Sequence, residues 1–187
     1  MANCPMFLNL KGRKILILGG GEIATRKLKV LLDFTKDITV ISRSFSDEMQ
    51  KLIKDNKLKN FKKEYKQNDI VGFNILIVAF NDIELQKQIA KQVEGKNYLC
   101  NFADLPENCD FNLGAYLKKE DLIISISTNG GAPSVITQLK LWLDKKIPNS
   151  VIDFIKEIKK ERLSLPKGEE RMKYFRNKTK DFFDKLD

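Results

Sequence analysis

An apolar run that stops on three glycines constrains this chain more than any other feature. Ile15-Leu16-Ile17-Leu18 has no polar residue, which suits a strand covered on both faces. Gly19-Gly20-Gly21-Glu22-Ile23-Ala24 follows and fits G-x-G-x-x-A, with a helix opening inside it. In that pattern Gly19 permits the tight turn, Gly21 lets the backbone approach a pyrophosphate, and Ala24 lets the helix lie close to the strand. The N–H groups of the helix N-terminus, including those around Glu22 and Ile23, then face the phosphates. A lone motif of this kind is weak. Between a predicted strand and a predicted helix it reads as the first βα turn of a dinucleotide fold. A purely structural glycine turn is the competing reading.

The rest of the chain supplies the alternation such a fold needs. Residues 13–18 are the first predicted strand, and residues 21–34 a helix burying Ile23, Leu28, Leu31 and Leu32. Ile38–Ile41 is β-branched throughout and predicts a second strand. Phe45, Met49, Leu52 and Ile53 recur at helical spacing behind a cap at Ser44 or Ser46. Short and extended strands follow at 60–62 and 73–80, then a helix over 82–94 and a strand over 98–102. Strands alternating with helices imply a doubly wound parallel α/β sheet.

After Pro106 the pattern changes. Residues 111–117 and 122–127 predict a hairpin, and Pro133 suits the first turn of a helix. That helix carries Val135, Ile136, Leu139, Leu141, Trp142 and Leu143. A helix apolar around so much of its girth belongs either at a subunit interface or in the interior of one subunit. Residues 149–163 and about 168–185 predict two amphipathic helices.

The residue types narrow the chemistry. The chain of 187 residues has no histidine, which excludes Ser-His-Asp and Cys-His catalysis. Proton transfer falls to Asp, Glu, Lys, Tyr, Cys or water. Cys4, Cys100 and Cys109 are scattered, without a C-x-x-C pair, as suits reduced thiols. They show no metal-binding spacing, so no metal ligands are assigned. No apolar stretch approaches the roughly 20 residues of a membrane span. The first residues lack the layout of a signal peptide, so a cytoplasmic location is expected. The net charge is +9, and residues 145–187 hold 13 Lys/Arg against 8 Asp/Glu. Such an excess attracts a polyanion, or is simply a solvated helical face.

At the ribose end the residues leave two options. An NAD fold expects an acid at the end of the second strand, but the strand ends Ile41-Ser42-Arg43. Ser42 could bond a ribose hydroxyl, and Arg43 could pair the 2′-phosphate of NADP. Asn81 and Asp82, after the strand at 73–80, would lie beside the cofactor. Asp82 could equally serve only as a helix cap.

Three stretches together carry a resemblance. Pro5-Met6-Phe7-Leu8-Asn9-Leu10-Lys11-Gly12-Arg13 leads into the glycine turn and Arg26-Lys27. Asn101-Phe102-Ala103-Asp104-Leu105-Pro106 is followed by Cys109-Asp110-Phe111. The last is Ile126-Ser127-Thr128-Asn129-Gly130-Gly131-Ala132-Pro133. From residue 4 to about 147 the chain resembles the siroheme synthase family, in its precorrin-2 dehydrogenase and sirohydrochlorin ferrochelatase module. It is too short to include the methyltransferase half of the fused enzymes.

The resemblance implies a Rossmann-like NAD-binding domain over 1–112, a dimerisation region over 113–147 and a helical C-terminal domain over 148–187. It implies NAD-dependent oxidation of precorrin-2 to sirohydrochlorin, with metal insertion as a further activity, in a homodimer interlocked through about 113–147. It tips the cofactor towards NAD, and implies no nucleic-acid or membrane partner. The family's key aspartate falls on Asp104, as proton acceptor; the competing role is a cap on the turn before Pro106. Thr128 and Asn129 fall in the implied substrate loop, although the Thr128 hydroxyl could instead set the turn before Pro133. Asn129 and Gly114 stand where relatives more often have glycine and proline. A different class of function, a non-enzymatic NAD(H) sensor whose basic tail binds DNA or a protein, would show steep salt dependence of DNA affinity.

Overall fold

The computed structural model describes residues 4–186. They form two compact units, one ending at Leu113 and the other beginning at Gly114.

The first unit is built on β1 (Ile15–Leu18), α1 (Glu22–Leu32), β2 (Ile38–Ser42), α2 (Asp47–Asp55), β3 (Lys59–Lys62), β4 (Ile75–Val78), α3 (Ile83–Val93) and β5 (Leu99–Phe102). The strands form one sheet in the order β3-β2-β1-β4-β5, and every pairing is parallel. Side chains alternate across a strand, and both faces of β1 are apolar and fully covered. Ile15 and Ile17 pack with Ala24, Leu28 and Leu31 of α1 and with Met49 and Ile53 of α2. Leu16 and Leu18 pack on the other side with Ile89, Ala90 and Val93 of α3. The uninterrupted apolar run at 15–18 is therefore what a central strand between two helical layers requires.

One expectation from the sequence fails here, and one open choice is settled. Ile23 is 41% exposed; in the first turn of α1 it stands above the strand end, beside a cavity, and Thr25 is buried instead. The cap of α2 is Ser46, whose hydroxyl accepts from the Met49 N–H at 3.2 Å. A short 3-10 turn at Gln67–Ile70 precedes β4, and another at Pro106–Asn108 follows β5; neither had been expected.

The second unit opens with an antiparallel hairpin of β6 (Ala115–Lys119) and β7 (Leu122–Ile126). The hairpin starts later than the predicted 111. The Phe111 carbonyl accepts from the Asn101 side chain at 2.8 Å, which commits that residue to the first unit. Three helices follow: α4 (Pro133–Lys146), α5 (Asn149–Ser164) and α6 (Glu169–Phe183). α4 packs against β6, and Lys119 ties the two by donating to the Ile147 carbonyl at 3.1 Å and pairing Asp144 at 3.0 Å. None of its residues is fully buried, and Val135, Leu139, Leu141 and Trp142 are exposed. Phe154 of α5 stacks on Phe182 of α6, centroids 4.0 Å apart. Lys178 bridges Glu157 and Glu161, and these bonds hold its ammonium pKa above the usual lysine value. Among the described residues no helix is long and apolar enough to cross a membrane.

Candidate functional site

Along the carboxyl ends of the five strands of the first unit lies a cavity of about 670 Å³. The chain runs outward from β1 to β3 and then returns to β4, so neighbouring connections diverge between β1 and β4. Open α/β sheets bind ligands in the crevice formed there. Each strand end contributes: the glycine turn after β1, Ser42–Ser44 after β2, Lys63–Tyr65 after β3, Ala79–Asp82 after β4, and Ala103-Asp104 after β5.

The three glycines do separate jobs. Gly19 has φ +133°, and a Cβ there would overlap the Ala79 carbonyl oxygen. It is not among the cavity's lining residues; its role is the close passage of the turn over β4. Gly20, which the motif leaves as any residue, is equally restricted. A Cβ there would overlap the Ser44 carbonyl oxygen and stand 2.9 Å from both the Phe45 ring and the Ser42 hydroxyl. The Gly20 carbonyl also accepts from the Ser46 N–H at 2.8 Å, which pins the turn to the start of α2. Gly21 differs: it lines the cavity, and nothing lies within 4 Å of a Cβ built on it. Gly21 is also the N-cap of α1, and no side chain caps the helix. The first-turn N–H groups have no intrahelical acceptor, so they and the positive end of the helix dipole suit an anion in the cavity. A dinucleotide pyrophosphate fits this cradle.

Glu22, Ile23, Ser42, Arg43, Asn81 and Asp82, the residues the sequence offers for a cofactor, line the same cavity. Arg43 is largely exposed, and its guanidinium lies 3.9 Å from the Glu64 carboxylate. Glu64 was missed because the acid was sought at the end of β2. It follows β3, and strand order brings it beside Arg43. The nearby Lys63 ammonium pairs with Asp69 at 2.5 Å. Asp82 caps α3, accepting from the Leu85 N–H at 3.0 Å.

Asp104 is exposed to the cavity and does not cap the turn before Pro106. The residue in that cap position is Leu105. The Asp104 carboxylate accepts from Gln86 Nε2 at 2.6 Å. Gln86 is a buried polar residue of α3, invisible to a search for apolar periodicity.

The stretch around Asp104 is braced from below. Asn101, 2% exposed, donates to the Phe111 carbonyl and accepts from the Lys27 ammonium at 2.5 Å. The Asp110 carboxylate accepts from the Cys100 N–H at 2.8 Å, and the Cys109 sulfur accepts from the Phe102 N–H at 3.1 Å. Burial pushes the Lys27 ammonium pKa down and the Cys109 thiol up, and drives the Cys100 thiol to about 12. Asn101, Cys109 and Asp110 thus hold the loop that presents Asp104. Among the described residues no side-chain group of three or more Cys, Asp or Glu is disposed to hold a metal ion.

Thr128 and Asn129 belong to the second unit. The Thr128 hydroxyl accepts from the Ala132 N–H at 3.1 Å, setting the turn before α4. Asn129 has φ +51°, a conformation that glycine adopts freely and asparagine tolerates.

Residues 6–115 match the family described as "Putative NAD(P)-binding". The chain is 34% identical over 148 residues to a siroheme synthase of Psychrobacter cryohalolentis, covering 79% of this chain and 28% of that protein. To a siroheme synthase of Buchnera aphidicola subsp. Acyrthosiphon pisum it is 29% identical over 166 residues, covering 87% and 34%. It thus spans about a third or less of the length of these curated relatives. Among solved structures, "SirC, precorrin-2 dehydrogenase" superposes with a TM-score of 0.77 at 25% identity, covering 90% of this chain and 85% of that one. With its parallel sheet, glycine cradle and following helical region, the chain belongs to the siroheme synthase and precorrin-2 dehydrogenase family.

Proposed function

We propose that this chain oxidises precorrin-2 to sirohydrochlorin, with NAD as hydride acceptor and Asp104 as proton acceptor. The observation that carries the reading is that Asp104 opens into the same cavity as the uncapped N-terminus of α1 and the bare Gly21. NAD, when bound, supplies an acceptor for the hydride that leaves a saturated carbon of the tetrapyrrole. As a double bond forms, a proton leaves a neighbouring position, and the Asp104 carboxylate is placed to take it. The substrate loses one hydride and one proton, giving NADH and a protonated carboxyl group. Gly21 and the first turn of α1 would hold the pyrophosphate, Ser42 and Glu64 would serve the adenosine ribose, and Asn81 and Asp82 would serve the nicotinamide half.

Two charges favour NAD over NADP. The Glu64 carboxylate occupies the neighbourhood of Arg43 and repels a 2′-phosphate, and Lys63 is engaged with Asp69. The +9 net charge attracts a polycarboxylate substrate. We further propose a homodimer in which a second copy covers the exposed apolar side chains of α4, with Thr128 and Asn129 contributing to the substrate site, and a cytoplasmic location.

The test is turnover of precorrin-2 with NAD, read as NADH absorbance. Asp104→Ala is expected to lose that turnover while binding NADH with wild-type affinity. Full turnover by Asp104→Ala overturns the assignment of the base.

A further inference from the structure

We infer that Gln86 is the positioning residue of this site, locking the Asp104 carboxylate and the loop at Phe80–Asp82 into one hydrogen-bonded unit. The inference rests on the reading of Asp104 as the base. Gln86 has no exposed surface, although it is a polar residue on the second turn of α3. Its Nε2 donates to the Phe80 carbonyl at 2.9 Å and to Asp104 Oδ2 at 2.6 Å. Its Oε1 accepts from the Asp104 N–H at 3.3 Å.

A carbonyl can only accept, so Phe80 fixes which end of the amide is nitrogen. Both Nε2 hydrogens are then committed, and Oε1 is left facing the Asp104 N–H. The side chain therefore grips Asp104 at backbone and carboxylate together. The carboxylate bond occupies Oδ2 and leaves Oδ1 for a substrate proton. The same amide grips the loop that carries Asn81 and Asp82, and Asp82 in turn caps α3 at Leu85. The base and the loop beside the cofactor thus share one rigid support. A buried amide is costly unless every polar atom is paired. Among the described residues no buried side-chain nitrogen or oxygen lacks a partner. An apolar side chain would fill the same space at no such cost, so packing by itself does not call for glutamine here.

The experiment compares the full-length wild type with Gln86→Met, Gln86→Glu and Asp104→Asn. Thermal melting, NADH affinity by fluorescence titration, and kcat and KM for precorrin-2 across pH are measured. Gln86→Met keeps the volume and loses the donors. It is expected to lower kcat by about ten- to a hundredfold, the cost of a base misplaced by an ångström or less. Gln86→Glu keeps the shape but sets a second carboxyl group against Asp104, so the acid limb of the rate profile moves to higher pH. Glu22, Asp82, Glu64, Arg43, Lys63 and Tyr65 line the same cavity. They are common to these proteins, so a displaced limb reports position 86.

Wild-type kcat in folded Gln86→Met overturns the inference. If Gln86→Met does not fold, an unmoved profile in Gln86→Glu overturns it. Wild-type turnover by Asp104→Asn sinks the reading of the base itself. Loss in Asp104→Asn with no effect at position 86 sinks the positioning role alone.

Discussion

The glycine turn makes a contrast that a motif cannot, and the contrast can be measured. Gly20→Ala puts a methyl group onto the Ser44 carbonyl oxygen, with the Phe45 ring and Ser42 hydroxyl 2.9 Å away. Backbone cannot swing aside as a side chain does. Overpacking of this kind costs about 1–3 kcal/mol, and at this chain length each kcal/mol lowers Tm by about 2–4 °C. The expected fall is therefore about 2–12 °C. Gly21→Ala meets nothing within 4 Å, and its φ of −87° suits alanine. Restricting the unfolded chain stabilises by about 0.4–1 kcal/mol. Alanine is a poorer N-cap than glycine by a similar amount. The two offset, so Tm stays within about 2 °C. The new methyl group stands in the cradle proposed for the pyrophosphate, and steric exclusion of about 1–3 kcal/mol weakens binding about 5- to 150-fold. Differential scanning fluorimetry reads the first quantity, and NADH fluorescence titration the second. Wild-type NADH affinity in Gly21→Ala, or an unchanged Tm in Gly20→Ala, would refute this division of labour.

Two further outcomes are expected. Glu64→Lys removes the carboxylate beside Arg43 and adds a cation. NADPH affinity should rise about tenfold or more relative to NADH, and an unchanged ratio in parallel titrations would place the ribose elsewhere. The Cys100 thiol is raised from 9.0 to about 12 by burial, so between those pH values the unfolded chain loses its proton while the folded one keeps it. Stability attributable to this group is full below pH 9 and falls as pH rises towards 12, by up to about 1.4 kcal/mol per pH unit. Urea melts at pH 8 and 10.5 should show a smaller loss for Cys100→Ala than for wild type. Equal losses would mean that the thiol is not the group responsible.

Much of this was legible from local pattern. The four apolar residues at 15–18, the β-branched run at 38–41 and the helical spacing of Met49 and Ile53 each predicted the element observed. The hairpin and the helix starting at Pro133 were legible too, because turn residues and proline act on their nearest neighbours. Errors fell where a long-range contact decided the matter. Phe111 reads as strand, but its carbonyl is claimed by Asn101. Ile23 reads as core, but the turn before it lifts it to the cavity. Gln86 adds nothing to an apolar pattern and so drew no expectation, yet it is fully buried.

By itself, the sequence determined the alternation of strand and helix and the place of the glycine turn. Those depend on side-chain periodicity and backbone freedom within a few residues. It also picked out Asp104, through the motif around it. Only the tertiary structure decided what faces what. Glu64 reaches Arg43 because β3 lies beside β2, and Gln86 reaches Asp104 because α3 packs beside the end of β5. Sequence separation carries no information about such distances. The order of strands in the sheet sets them, and burial then requires that each polar group brought inside find its partner.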